Sequence, residues 1–173
     1  MYLQGRDRHY RPCVAINVVI AQNAALSDPQ MVLTTISLFW EYIIHHMLLP
    51  GRIENICMIM NHENMSVTQF STKFMKQMQA HTGANYKGRA RAVFLLNAPS
   101  TFVYVWNTIK YFFDQNQVRK VAISYKNTCP QLLEMVAPNQ LEEKFGGTAK
   151  NREVGEYWPP SLPDTDFGVG QTT

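Results

Sequence analysis

No stretch of this 173-residue chain is long and clean enough to cross a membrane as a helix. The longest apolar runs, "SLFWEYIIHHMLL" (37–49) and "FVYVWNTIKYFF" (102–113), are broken by Glu41, His45 and His46 and by Asn107 and Lys110. Neither reaches the ~20 apolar residues that a span requires. Cysteine is scarce: Cys13, Cys57 and Cys129 lie far apart, are odd in number and form no CxxC pair. That excludes a disulfide framework and the usual zinc spacings, and it fits a reducing, cytoplasmic setting. The opening "MYLQGRDRHY" is too charged for a secretory signal. Charge of one sign is also lacking. A net charge of +3 gives no argument for nucleic acid and allows only weak attraction to an anionic membrane.

Apolar residues are plentiful, at 46%, against 17% charged, which predicts one globular domain with a real core. "CVAINVVI" (13–20) reads as a β-branched strand, followed by a turn-rich link. "SDPQ" starts a helix, because Ser27 or Asp28 can cap it and Pro29 suits its first turn. That helix is predicted to run to about Leu49, with Val32, Ile36, Phe39, Trp40, Ile43 and Met47 facing inward. "ENICMIM" (54–60) is a second strand, and Ser66 is a cap for a helix carrying Phe70, Phe74 and Met78 on one face. "RAVFLLNA" gives a near-continuous apolar strand of the kind covered on both faces. A helix over 100–115, a strand over 120–124, a helix around "PQLLEMVA" and the short "NQLEEKFGG" follow. Alternating strands and helices predict an α/β fold with a mostly parallel sheet. Residues 151–173, rich in Pro, Gly and polar side chains, read as a flexible extension beyond a lobe spanning 1–150.

The helix over 100–115 is apolar around most of its circumference. Phe102, Val105, Trp106, Ile109 and Phe113 form a core-facing stripe, yet Tyr104, Tyr111 and Phe112 extend beyond it. The case for catalysis is thin by comparison. Glu41, His45 and His46 form ExxxHH, but His46 points about 100° away from His45 on a helix, which favours a surface pair. His62, Glu63 and Asn64 follow a strand end, where α/β proteins place function, although no partner is identifiable and a polar loop is favoured. "FGGTAK" lacks the phosphate-loop pattern and reads as turn glycines. Lys87, Arg89 and Arg91 precede one strand, and Arg119 and Lys120 another, at positions that can coordinate phosphate; a solvated face is the default for each alone. Met58, Met60, Met65, Met75 and Met78 fit either a core or a cavity for a flexible apolar ligand.

The order of these pieces resembles the CRAL-TRIO lipid-exchange family. "LLNAP", the aromatic helix closing in "IKYFFD" and "VRKVAIS" match its characteristic block, "LEEKFGG" its closing motif, and "DRHYRPCVAIN" its first strand. The resemblance covers roughly residues 5–150 and implies a mixed sheet flooring a deep apolar pocket under covering helices. It implies that the helix bearing Phe102, Trp106, Ile109, Tyr111, Phe112 and Phe113 is a mobile gate that meets the membrane when open. It also implies a lobe without the family's N-terminal helical subdomain, with further domains beyond this chain. Lys120 falls at a lysine that contacts the phosphoinositide headgroup, with Arg119 beside it, and Ser66 and Thr68 fall where some members place phosphate-contacting hydroxyls. Gly88 stands where the family has an acidic headgroup residue, which counts against phosphatidylinositol specificity. The expected function is therefore non-enzymatic binding, transfer or sensing of a phospholipid or other lipophile at the cytoplasmic surface of a membrane. It calls for no cofactor, metal or nucleic acid. The alternative is a degenerate lobe that recruits proteins or membranes and carries nothing.

Overall fold

In the computed structural model, residues 1–67 and 70–169 are described. Five strands lie in the order of the sequence: β1 (Tyr2–Arg6), β2 (Pro12–Asn17), β3 (Ile56–Asn61), β4 (Ala90–Leu96) and β5 (Val121–Ile123). β1 is antiparallel to β2 and the other pairs are parallel, giving the mixed, mostly parallel sheet expected. The parallel crossovers carry α1 (Val18–Ser27) and α2 (Pro29–His46), then α3 (Thr72–Asn85), then α4 (Phe102–Ile109) and α5 (Gln115–Val118). Crossovers of one hand between strands in sequential order place all their helices on one face. The other face is covered by α6 (Pro130–Met135) and the chain that follows it.

Several boundaries differ from the sequence reading, each for a local reason. β1 was not predicted; "YLQGR" is strand only because it pairs along the edge of β2. β2 ends at Asn17, whose side chain accepts the Ile20 N–H and starts α1 where a strand and a link were expected. Asp28 caps α2 by accepting from the Met31 N–H, with Pro29 in its first turn, as predicted. α3 starts later than expected, because Ser71, not Ser66, accepts the Phe74 N–H. The helix expected over 100–115 is divided. α4 tightens into a 3-10 turn at Lys110–Phe112, Phe113 is extended, and Asp114 with Gln117 forms a capping box that begins α5.

Two motifs from the sequence have structural roles. Buried Asp7 accepts from the His9 and Arg11 N–H groups and pairs with the Arg11 guanidinium at 2.6 Å, which fixes the turn between β1 and β2. In "FGG", a Cβ on Gly147 would collide with the Leu141 carbonyl, and Gly146 takes φ +90°. Residues 151–169, expected to form a loose extension, lie against the lobe. Arg8 donates to the Gly168 carbonyl, and Gln140 Nε2 donates to the carbonyls of Asp164 and Asp166. Tyr157 stacks on Tyr2, Trp158 meets Tyr42, and Phe167 meets Tyr10. Composition does not register such ring pairs with distant partners. Residues 170–173 of the expected extension lie outside the described residues.

Candidate lipid-binding cavity

The two faces of the sheet diverge along each strand, because successive side chains point to opposite sides. Cys13, Ala15, Cys57, Ile59, Phe94 and Leu96 point to the face closed by Leu132, Val136, Leu141 and Phe145 and form one buried cluster. Val14, Ile16, Met58, Met60, Val93, Leu95 and Val121 point to the face beneath α1–α4. Ile16, Met58, Met60 and Val93 remain partly accessible there although they sit within the sheet, because a cavity of about 910 Å³ separates them from the helices. That volume lies near the upper end of the ~300–1,000 Å³ typical of small-molecule sites.

The wall is predominantly apolar. α1 contributes Ala21, Ala24 and Ala25; α2 contributes Val32, Ile36 and Trp40; α3 contributes Phe74, Met75 and Met78. No residue of α3 is fully buried, as expected of a helix whose apolar side faces open space. α2 is tied to α3 and to Tyr86 at the C-terminal end of that helix. Ser37 Oγ lies 2.6 Å from His81 Nε2, Tyr86 donates to Glu41 at 3.1 Å, and the Trp40 and Tyr86 rings stack at 5.2 Å. Of the five methionines noted in the sequence, Met58, Met60, Met75 and Met78 line the cavity; Met65 is buried beside Phe102.

Polar groups occur at both ends of the sheet. Lys120 lines the cavity and donates to the Ala90 carbonyl at 2.9 Å, at the start of β4 and β5. Lys87 and Gly88 also line it there, and Gln117 lies within 3.3 Å of Gln79. At the far ends of β3 and β4, His62 is only 3% exposed; its backbone N–H donates to Leu96 and its Nδ1 faces the Met60 carbonyl at 3.0 Å. Burial holds the His62 imidazole below its ordinary pKa, against the opposing effect of those carbonyl contacts. Beside it, Asn97 of "LLNAP" adopts φ +54° and donates to Asn61 at 2.8 Å, turning the chain from β4 towards α4. The ends of β4 are about 20 Å apart at ~3.3 Å per residue, so the cavity runs the length of the sheet. Among the described residues, the amide nitrogen Gln22 Nε2, on the inward face of α1 with Val18 and Ala25, is buried without a hydrogen-bond partner.

α4 closes one side. Phe102 and Ile109 are buried inward, Trp106 and Phe113 line the cavity, and the Phe102 ring lies 4.9 Å from His62. Tyr104 and Tyr111 are 75% and 79% exposed, and Phe112 is half-buried under Lys76. Among the side chains predicted to contact a headgroup, Lys120 lies in the cavity, whereas Arg119 and Ser66 are exposed and outside its lining. Thr68 lies outside the described residues. His62 and Glu63 do not come together as an acid–base pair. Glu63 is exposed and approaches Asn61 at 3.4 Å. Glu41 and His45 form a surface pair at 3.5 Å, and no group of three metal-binding side chains occurs among the described residues. Gln22 and the tail residues Val154 and Tyr157 also line the cavity and were not anticipated; a polar residue on the Val18–Ala25 face was the one available signal.

A mixed, mostly parallel sheet under helices that enclose a long apolar cavity offers space for an elongated apolar molecule. The chain belongs to the CRAL/TRIO domain family, whose model matches residues 1–147. It is 31% identical over 91 residues to phosphatidylinositol/phosphatidylcholine transfer protein SFH9 of Arabidopsis thaliana, covering 53% of this chain and 16% of that protein. It is 29% identical over 102 residues to the Sec14 cytosolic factor of Schizosaccharomyces pombe, covering 58% of this chain and 36% of that protein. It thus spans well under half the length of these relatives. The crystal structure of Sfh5 superposes with a TM-score of 0.73 at 14% identity, over 95% of this chain and 62% of that one, and so shares the fold.

Proposed function

We propose that this lobe is a non-enzymatic carrier or sensor of a phospholipid or similar lipophile, loaded by transient contact with a membrane at the cytoplasmic surface. The observation that carries this reading is the cavity of about 910 Å³ with its apolar wall. A buried acyl chain gains ~25 cal/mol per Å² over water, but little over the bilayer it leaves. A carrier must therefore offer equal shelter and an easy entrance. α4 and the turn after it suit that entrance: their inward side seals the cavity, Tyr104 and Tyr111 are exposed outward, and their side-chain hydrogen bonds are local. Lys120 is the best placed headgroup contact; Arg119 and Ser66 are secondary candidates at the surface, and Thr68 is a candidate by the family resemblance alone. Gly88 leaves no carboxylate for an inositol hydroxyl, so phosphatidylcholine-like ligands are favoured over phosphatidylinositol. The relatives' names, which include both lipids, agree with this class. A recruiting module that carries nothing has no use for an open cavity, which weighs against the alternative.

Mass spectrometry of organic extracts from the purified protein is expected to find a stoichiometric amphiphile. An empty protein that moves no lipid between vesicles would overturn the proposal. Replacing Tyr111 and Phe112 by Ser is expected to weaken vesicle binding several-fold while changing stability by less than about 1 kcal/mol, since surface substitutions are usually mild. A collapse of stability would mark that flank as ordinary core.

A further inference from the structure

The family model ends at residue 147, yet the cavity wall does not. Val154 and Tyr157 line the cavity together with Met1 and Ile16, on the side of β1 and β2. The segment is fixed from both directions. The Arg152 N–H donates to buried Glu142 at 2.7 Å, and the same carboxylate accepts from the Tyr2 hydroxyl at 2.7 Å. The Tyr157 ring stacks on Tyr2 at 4.1 Å and 16°, and the next residue, Trp158, meets Tyr42 of α2 edge-on at 4.8 Å. Consecutive rings thus tie the edge of the sheet to the helical layer.

We propose that residues 154–158 are a wall of the cavity and that Val154 and Tyr157 contact the hydrocarbon part of a bound amphiphile. The neighbouring side chains support hydrocarbon over headgroup: Ile16 and Val154 are apolar, whereas the cavity-lining lysines lie elsewhere, Lys87 and Lys120 by β4 and β5 and Lys73 at the start of α3. Such a wall makes the segment part of the ligand-binding unit and lets it set how readily lipid escapes past β1. The inference rests on the carrier reading above and adds residues to that site.

The test loads the whole chain from phosphatidylcholine vesicles containing a phosphatidylcholine with a diazirine on its acyl chain, irradiates it and maps labelled peptides. Label is expected within 153–158 as well as in α3 and α4. In parallel, Val154→Glu is expected to leave the melting temperature unchanged, because Val154 is 63% exposed, and to speed loss of lipid to acceptor vesicles several-fold. Uptake with label confined to the sheet and helices, and unchanged release from Val154→Glu, would overturn this inference and leave the carrier reading standing. No uptake at all would overturn both.

Discussion

On β3, Cys57 and Ile59 point to one side and have no exposure, while Met58 and Met60 point to the other and keep some. The same division runs through β2, with Cys13 and Ala15 against Ile16, and through β4, with Phe94 against Val93. One side is packed by Leu132, Val136, Leu141 and Phe145. On the other, Val14 and Leu95 pack against α2 and α4, but Ile16, Met58, Met60 and Val93 face space that no side chain fills. Hydrophobic residues in one strand can therefore do two jobs. Most stabilise the lobe by close packing, and a few leave an apolar surface open to the cavity.

Neighbouring truncations on β3 separate the two faces. Ile59→Ala removes packed methyl groups and is expected to cost about 2–5 kcal/mol in chemical denaturation. Met60→Ala in ligand-free protein is expected to cost less than about half as much, since part of its side chain has no partners to lose. Equal losses would mean that the cavity face is packed after all. A smaller effect of opposite sign is expected at Gln22. Gln22→Met removes an unpaired buried donor and should stabilise the ligand-free protein by about 1 kcal/mol, visible as a higher melting temperature. A loss of stability would show that the amide is satisfied.

The weakest effect is confined to acid. His62 is held below its ordinary pKa by burial, so on acidification the unfolded chain takes up the proton before the folded one. Its contribution is therefore undiminished above about pH 6.5 and declines as pH falls from there towards the folded pKa. His62→Asn is expected to flatten that part of the stability profile. An unchanged slope would assign it to other groups.

Much of the lobe was legible because its signals are local. The strand cores around β3, β4 and β5, the Asp28–Pro29 start of α2 and the inward stripe of α4 follow from neighbours a few residues apart. β1 was not legible, since its pairing partner and not its own sequence makes it a strand. α1 was hidden because Val18, Val19 and Ile20 continue the β-branched run of β2, and only the Asn17 cap marks the change. The cavity was implied by the family resemblance but could not be read from the strand pattern. Met58 and Met60 alternate with Cys57 and Ile59 whether a helix or a void stands opposite. Its tail wall depends on Tyr157 meeting Tyr2, a contact between opposite ends of the sequence.

If the face beneath α1–α4 is a container, filling it must abolish loading. Val93 lines the cavity from the middle of β4, so Val93→Trp projects a large ring into open space. The measurement is the amount of phospholipid retained per chain after incubation with phosphatidylcholine vesicles and re-isolation. About one lipid is expected for the unaltered protein and at least a several-fold reduction for a folded Val93→Trp variant whose melting temperature is maintained or raised. Equal retention by both proteins, or none by either, would contradict it.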